Sequence, residues 1–265
     1  MSILSLNGTP VEYLQQGAGP DLLLLHSLLT ECTVFDRVLP ALAGTHRVTC
    51  VNLPGFGASG AVPLGSVADY ADHVASVMDA LALPAITDVF GNGFGAFVVL
   101  ALGIRHGARF NRLIAADVVS AFPDAAKAPF RMMAGKVRES GMKAVLDTAI
   151  GRMFPADFQA KHPDAVADRK AKLAFADANC FAQACLALAS LDLAPQVGAI
   201  GNPALILCGA LDQTTPPALA QQTAAAIPGA IYREIPGSGH CPMLEQPDAL
   251  VAAIESFLGN RTALA

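Results

Sequence analysis

Four short stretches of this 265-residue chain carry the residues that could do chemistry. They are His26-Ser27-Leu28-Leu29, Gly91-Asn92-Gly93-Phe94-Gly95-Ala96, Gly209-Ala210-Leu211-Asp212 and Pro236-Gly237-Ser238-Gly239-His240. Each follows a short apolar run that reads as a strand. In an open parallel sheet, ligands bind outside the carboxyl ends of the strands. The four stretches therefore mark the candidate cleft, and His240 offers it an imidazole that titrates near neutral pH. The six cysteines (Cys32, Cys50, Cys180, Cys185, Cys208 and Cys241) show neither a Cys-x-x-Cys pair nor a metal-binding spacing. They read as free thiols in a reducing cytoplasm rather than as a disulfide framework.

The elements that must position these stretches follow from periodicity. Asn7-Gly8 lies between two alternating runs, 3–6 and 11–14, and signals a hairpin. Apolar runs at 22–25, 47–51, 86–90, 112–116, 204–208 and 230–235 then alternate with helical patterns at 33–43, 67–83, 94–106, 216–226 and 248–258. Such alternation implies crossover connections and a mostly parallel sheet flanked by helices, the α/β class, with one antiparallel edge. Between 121 and 195 the alternation stops. Only helical patterns are legible there, at 129–140, 142–153, 163–175 and 179–190. The expected organisation is a core of residues 1–120 and 196–265 with an inserted helical cap of 121–195.

Composition narrows the function. Hydrophobic residues make up 53% and charged residues 15%, which suits a sheet buried on both faces. The formal charge is −5 with no run of Lys or Arg, so a nucleic-acid surface is not expected. The longest apolar stretch considered, 96–104, is too short to span a membrane, and the first residues lack the basic start of a signal peptide. The expected partner is a small molecule; no metal or organic cofactor is indicated, and homo-oligomerisation stays open.

The chain resembles the α/β-hydrolase superfamily over nearly its full length. Gly91-Asn92-Gly93-Phe94-Gly95, between a strand and a helix, has the form of the nucleophile elbow Gly-x-Ser-x-Gly. Asp212 and His240 follow in the order this fold uses. Asn52-Leu53-Pro54-Gly55-Phe56-Gly57-Ala58-Ser59 is similar to the family's Asp-x-x-Gly-x-Gly-x-Ser turn, and Gly239-His240-Cys241-Pro242 to its last motif. Within the superfamily the chain looks most like 3-oxoadipate enol-lactonase, through His26-Ser27-Leu28, Gly141-Met142-Lys143-Ala144-Val145, Ala176-Asp177 and the run from Ala184 to Leu193. The resemblance implies that His240 is the general base and acid and that Asp212 holds its tautomer. It also implies that the N–H groups of Leu28 and Phe94 form an oxyanion hole.

The resemblance departs from the family at Gly93, which stands where the nucleophile serine is expected and has no side chain. Three readings follow. An enzyme could use the cleft with a water in the space left by the missing CH₂–OH, or with His240 deprotonating the substrate itself. A binding module could keep the pocket without the reaction. An engineered knockout would restore esterase activity on Gly93→Ser. Among substitute nucleophiles, Ser27, Cys32 and Cys241 come into view, and Ser27 is the one to test. Ser27, Arg131 and Met132 are the candidate substrate contacts. Arg138 and Arg152 are further carboxylate clamps, and Met132, Met133, Met142, Met153, Phe130, Phe154 and Phe158 of the cap are candidate pocket lining. Asp117 is expected to make a structural hydrogen bond beside the cleft, with a reserve role as acid partner of His240. Asp88 is expected to be an edge or turn carboxylate.

Overall fold

The structure, a computed structural model, describes residues 1–259. Asn7 and Gly8 both take positive φ (51° and 83°), as a tight hairpin turn demands, and join β1 (Ser2–Leu6) to β2 (Thr9–Gln16). Six further strands follow: β3 (Asp21–Leu25), β4 (Arg47–Val51), β5 (Asp88–Asn92), β6 (Leu113–Ala116), β7 (Ala204–Gly209) and β8 (Ile231–Ile235). They form one sheet in the order β1-β2-β4-β3-β5-β6-β7-β8. The β1–β2 and β2–β4 pairs are antiparallel, and the others are parallel. β3, β5, β6 and β7 are buried from end to end, which explains why their sequences run apolar without alternation.

The helices are α1 (Leu39–Leu42), α2 (Val67–Ala80), α3 (Phe94–His106), α4 (Asp124–Ser140), α5 (Leu146–Met153), α6 (Ala156–Lys161), α7 (Pro163–Leu173), α8 (Ala178–Ala189), α9 (Pro217–Ala226), α10 (Pro242–Glu245) and α11 (Pro247–Gly259). A capping box fixes the start of α2, with Ser66 and Asp69 each accepting from the other's backbone N–H. The helix expected over 33–43 is instead a 3₁₀ turn at Cys32–Phe35 followed by α1. Pro40 explains the break: it has no N–H, and its ring clashes with a preceding helical turn. In the opposite direction, α4 begins five residues before the expected start at Pro129, which it carries inside. That proline lies in an early turn, where it forfeits a single i→i−4 bond.

Between β6 and β7 the chain holds only helices, α4 to α8 and short 3₁₀ turns. The two ends of this segment are clasped together by an isolated bridge between Ala121 and Asp192 and by Leu193 N–H donating to Ser120 O at 2.8 Å. α4 packs along α8. At the opposite end of the sheet, Asp88 corrects its expected place on an edge. It is 1% exposed and takes a two-point grip from Arg112 (2.9 and 2.7 Å), whose Nη1 also donates to Leu258 O at the end of α11. Among the described residues, no helix is long and apolar enough to cross a membrane.

Candidate active site

β5 runs into α3 through one residue. Gly93 turns the chain with φ 52° and ψ −116°, angles that an L side chain rarely adopts. Its neighbours are glycines because the backbones touch: a Cβ on Gly91 would stand 2.3 Å from Gly95 O, and one on Gly95 2.4 Å from Leu25 O. Gly93 N–H donates to Ala116 O (2.9 Å) and Gly95 N–H to His26 O (3.0 Å). The turn is thereby tied to β6 on one side and to the loop after β3 on the other.

That loop is rigid. His26 Nδ1–H donates to Ser27 O at 2.8 Å while its Nε2 accepts from Leu53 N–H at 3.0 Å, which sets the tautomer. Burial drives the His26 pKa down to about 4, so the ring is neutral at physiological pH. Thr30 closes the loop from the other side, its Oγ1 accepting from Ser27 N–H at 3.0 Å and its N–H donating to Ser27 O at 3.2 Å.

Asp212, just past β7, is almost fully enclosed. Its Oδ1 accepts from the N–H groups of Thr214 (2.7 Å) and Thr215 (3.1 Å), and its Oδ2 from Thr215 Oγ1–H and from His240 Nδ1–H at 2.8 Å. His240 follows β8, and Glu245 fixes its backbone by accepting from Gly239 N–H (2.7 Å) and Cys241 N–H (2.9 Å). Burial alone would lower the pKa of His240, but the charge and hydrogen bond of Asp212 outweigh it and raise the imidazole to about 9. For Asp212, burial works against ionisation, yet His240 and the Thr215 bonds prevail and hold the carboxyl at about 2. Asp117, next in the cluster, accepts from Asn92 Nδ2 (2.7 Å) and Gly209 N–H (2.8 Å). Burial, and then the Asp212 charge, push its pKa well up. Asp212, bonded directly to Nδ1, is the partner that sets the imidazole.

The free edge of that imidazole faces the glycine turn. A Cβ built on Gly93 would lie 3.0 Å from His240 Nε2, and 2.3 Å from Ser27 Oγ. The beginning of the space left by the missing side chain is thus not open room for a water: the Ser27 hydroxyl stands in it. Around this point lies an apolar cavity of about 50 Å³, lined by Ser27, Leu28, Phe94, Phe122, Met133 and His240 among others. A wider cleft of about 340 Å³ opens beside it, past Arg152, Gln159, Gln213 and Gly239. His240, Arg152, Met153 and Thr214 border both.

Gly93, His240, Asp212, Ser27, Leu28 and Phe94 are thus gathered at one place. Arg131 and Met132 are not among the residues lining either cavity. Arg131 donates to Ala189 O at 3.4 Å, and the Met132 side chain is 56% exposed. The next residue along, Met133, and Arg152 of α5 take the places expected of them. Of the cap aromatics, Phe130 lines the inner cavity and Phe154 the outer cleft, while Phe158 stacks on Phe154. Thr30, Thr215 and Glu245 were not foreseen. Thr215 had a signal in Asp212-Gln213-Thr214-Thr215, the pattern of an aspartate that binds backbone N–H groups just after it; Thr30 and Glu245 had none.

The sequence signature of the Alpha/beta hydrolase family matches residues 22–253, and the chain belongs to that family. Among curated proteins it is similar to 3-oxoadipate enol-lactonase 2 of Acinetobacter baylyi, 29% identical over 92% of this chain and 90% of that one. It is also similar to the pimeloyl-[acyl-carrier protein] methyl ester esterase of Aeromonas hydrophila, 27% identical over 92% and 97% of the two chains. Among solved structures, the enol-lactonase from Burkholderia xenovorans LB400 superposes with a TM-score of 0.90 at 28% identity, covering 97% of this chain and all of that one (100%).

Proposed function

We propose that the chain hydrolyses small carboxylic esters or lactones, with His240 as general base and acid and Asp212 as its orienting partner. The observation that carries this reading is the alignment of three groups. Asp212 binds Nδ1–H, which leaves Nε2 as the basic nitrogen, and Nε2 points at the turn where the family's nucleophile would begin. The hydrolase relatives support the reaction class, and the enol-lactonases support a lactone or small ester as substrate.

The remaining parts follow the same logic. Phe94 is the first residue of α3, so its N–H has no acceptor within the helix and sits at the positive end of the helix dipole. Leu28 N–H also has no acceptor among the described residues. These two amides are the oxyanion hole of the proposed reaction. The inner cavity is apolar and has room for a short acyl chain. Arg152, exposed at the junction of the two cavities and unpaired with any carboxylate among the described residues, suits a substrate with a carboxylate.

The test is a panel of short p-nitrophenyl esters and five- and six-membered lactones, assayed with the native chain, His240→Ala and Asp212→Asn. The expected result is turnover lost in His240→Ala and cut by about 10⁴-fold in Asp212→Asn, as when a triad aspartate is replaced. Native turnover that survives His240→Ala would remove this reading.

A further inference from the structure

We propose that Ser27 supplies the nucleophile that position 93 lacks; the inference rests on the hydrolase reading and names the group that attacks. Ser27 Oγ lies 2.3 Å from the point at which a side chain on Gly93 would start, and His240 Nε2 lies 3.0 Å from the same point. Hydroxyl and base therefore flank one spot, although the two elements that carry them are far apart in sequence.

The backbone of Ser27 is fully committed. Its N–H is bound to Thr30 Oγ1, and its C=O accepts from His26 Nδ1–H, Thr30 N–H and Thr30 Oγ1–H. Its hydroxyl has no hydrogen-bond partner among the described residues and borders the inner cavity. The movement the proposal requires is a rotation about Cα–Cβ, between staggered wells, that brings Oγ–H onto Nε2. Catalytic hydrogen bonds of this kind commonly tighten when substrate binds.

The oxyanion hole fits the relocated hydroxyl. In the elbow arrangement, one N–H of the hole belongs to the residue after the nucleophile. Phe94 follows Gly93, and Leu28 follows Ser27. Moving the hydroxyl from one turn to the other leaves the same two amides beside it. The other candidates drop out on position. Cys32 and Cys241 are enclosed, with thiol pKa values pushed well above the ordinary range by burial, and neither lines the cavity.

The chemistry balances with water as the only co-reactant. Ser27 Oγ forms a bond to the carbonyl carbon as its proton passes to His240 Nε2, and the carbonyl π pair moves onto oxygen. The pair returns, the ester C–O bond breaks, and the leaving oxygen takes the proton from His240. Water then attacks the acyl carbon, giving its proton to His240. The Oγ–C bond breaks, and Ser27 Oγ recovers the proton. The sum is ester plus water to acid plus alcohol.

The experiment treats the full chain with an alkyl fluorophosphonate, maps the adduct by peptide mass spectrometry, and measures p-nitrophenyl acetate hydrolysis in the native chain, Ser27→Ala and His240→Ala. The expected result is one adduct, on Ser27 and absent from Ser27→Ala, with hydrolysis falling about 10³-fold or more in that variant. Ser27→Cys guards against misfolding: its new thiol should be alkylated by iodoacetamide, and faster than in Ser27→Cys/His240→Ala. An adduct on another residue, or none, overturns the proposal. If Ser27→Ala hydrolyses within threefold of native while His240→Ala is dead, Ser27 is not the nucleophile and the hydrolase reading stands. If Ser27 is labelled but no ester or lactone turns over, the nucleophile assignment stands and the hydrolase reading falls.

Discussion

Gly93→Ala offers a stability test of the site that needs no substrate. The new methyl would meet Ser27 Oγ at 2.3 Å, and Ser27 Cβ and His240 Nε2 at 3.0 Å. It would also hold a β-carbon at φ 52°, ψ −116°. Backbone strain of this kind costs about 1–3 kcal/mol, and forcing an extra methyl into a packed site about 1–3 kcal/mol more. The single substitution should therefore lower stability by roughly 2–6 kcal/mol. Ser27→Gly removes two of the three close contacts and leaves the backbone strain untouched. In that background Gly93→Ala should cost less, by about 1–2 kcal/mol of coupling between the sites. Urea unfolding of the four chains, with a shared slope, measures the cycle. Two effects that add to within about 0.5 kcal/mol would show that Ser27 does not occupy the space beside Gly93.

Hydrolysis should rise with pH across neutrality, because the base must be neutral and Asp212 holds His240 up to about 9; Asp212→Asn should move that limb down toward 6.5. In stability the raised imidazole has the opposite sense: its contribution is complete below pH 6.5 and is lost as pH climbs through about 9, visible as a Tm decline that His240→Gln abolishes. His26 is depressed instead, so its contribution is present above 6.5 and is lost as pH falls through about 4, at most about 3 kcal/mol by chemical denaturation. Arg112→Met leaves Asp88 buried without its partner and should cost about 3–5 kcal/mol, read from the urea midpoint. Arg152→Ala should raise KM for esters that bear a carboxylate, with neutral esters unchanged; equal effects on both would remove its role as a clamp.

Much of this was legible in the chain itself, because periodicity and turn chemistry act locally. Asn7-Gly8 specifies its hairpin through φ alone, and the apolar runs announce a sheet buried on both faces. Glycines at 91, 93 and 95 between a strand and a helix declare a turn in which backbones touch, and the resemblance to the family brings Asp212 and His240, which follow later strands, to the same cleft. What stayed hidden depends on contacts between distant segments. α5 presents Arg152 to the cleft, whereas Arg131 on α4 lies outside it, since which helix face meets the sheet is decided by how α4 and α8 pack. The Ser27 hydroxyl fills the place beside Gly93 because β3 and β5 pair in parallel, with Leu25 opposite Gly91. That register delivers the first residues after each strand to a common point, and a linear pattern carries no record of it.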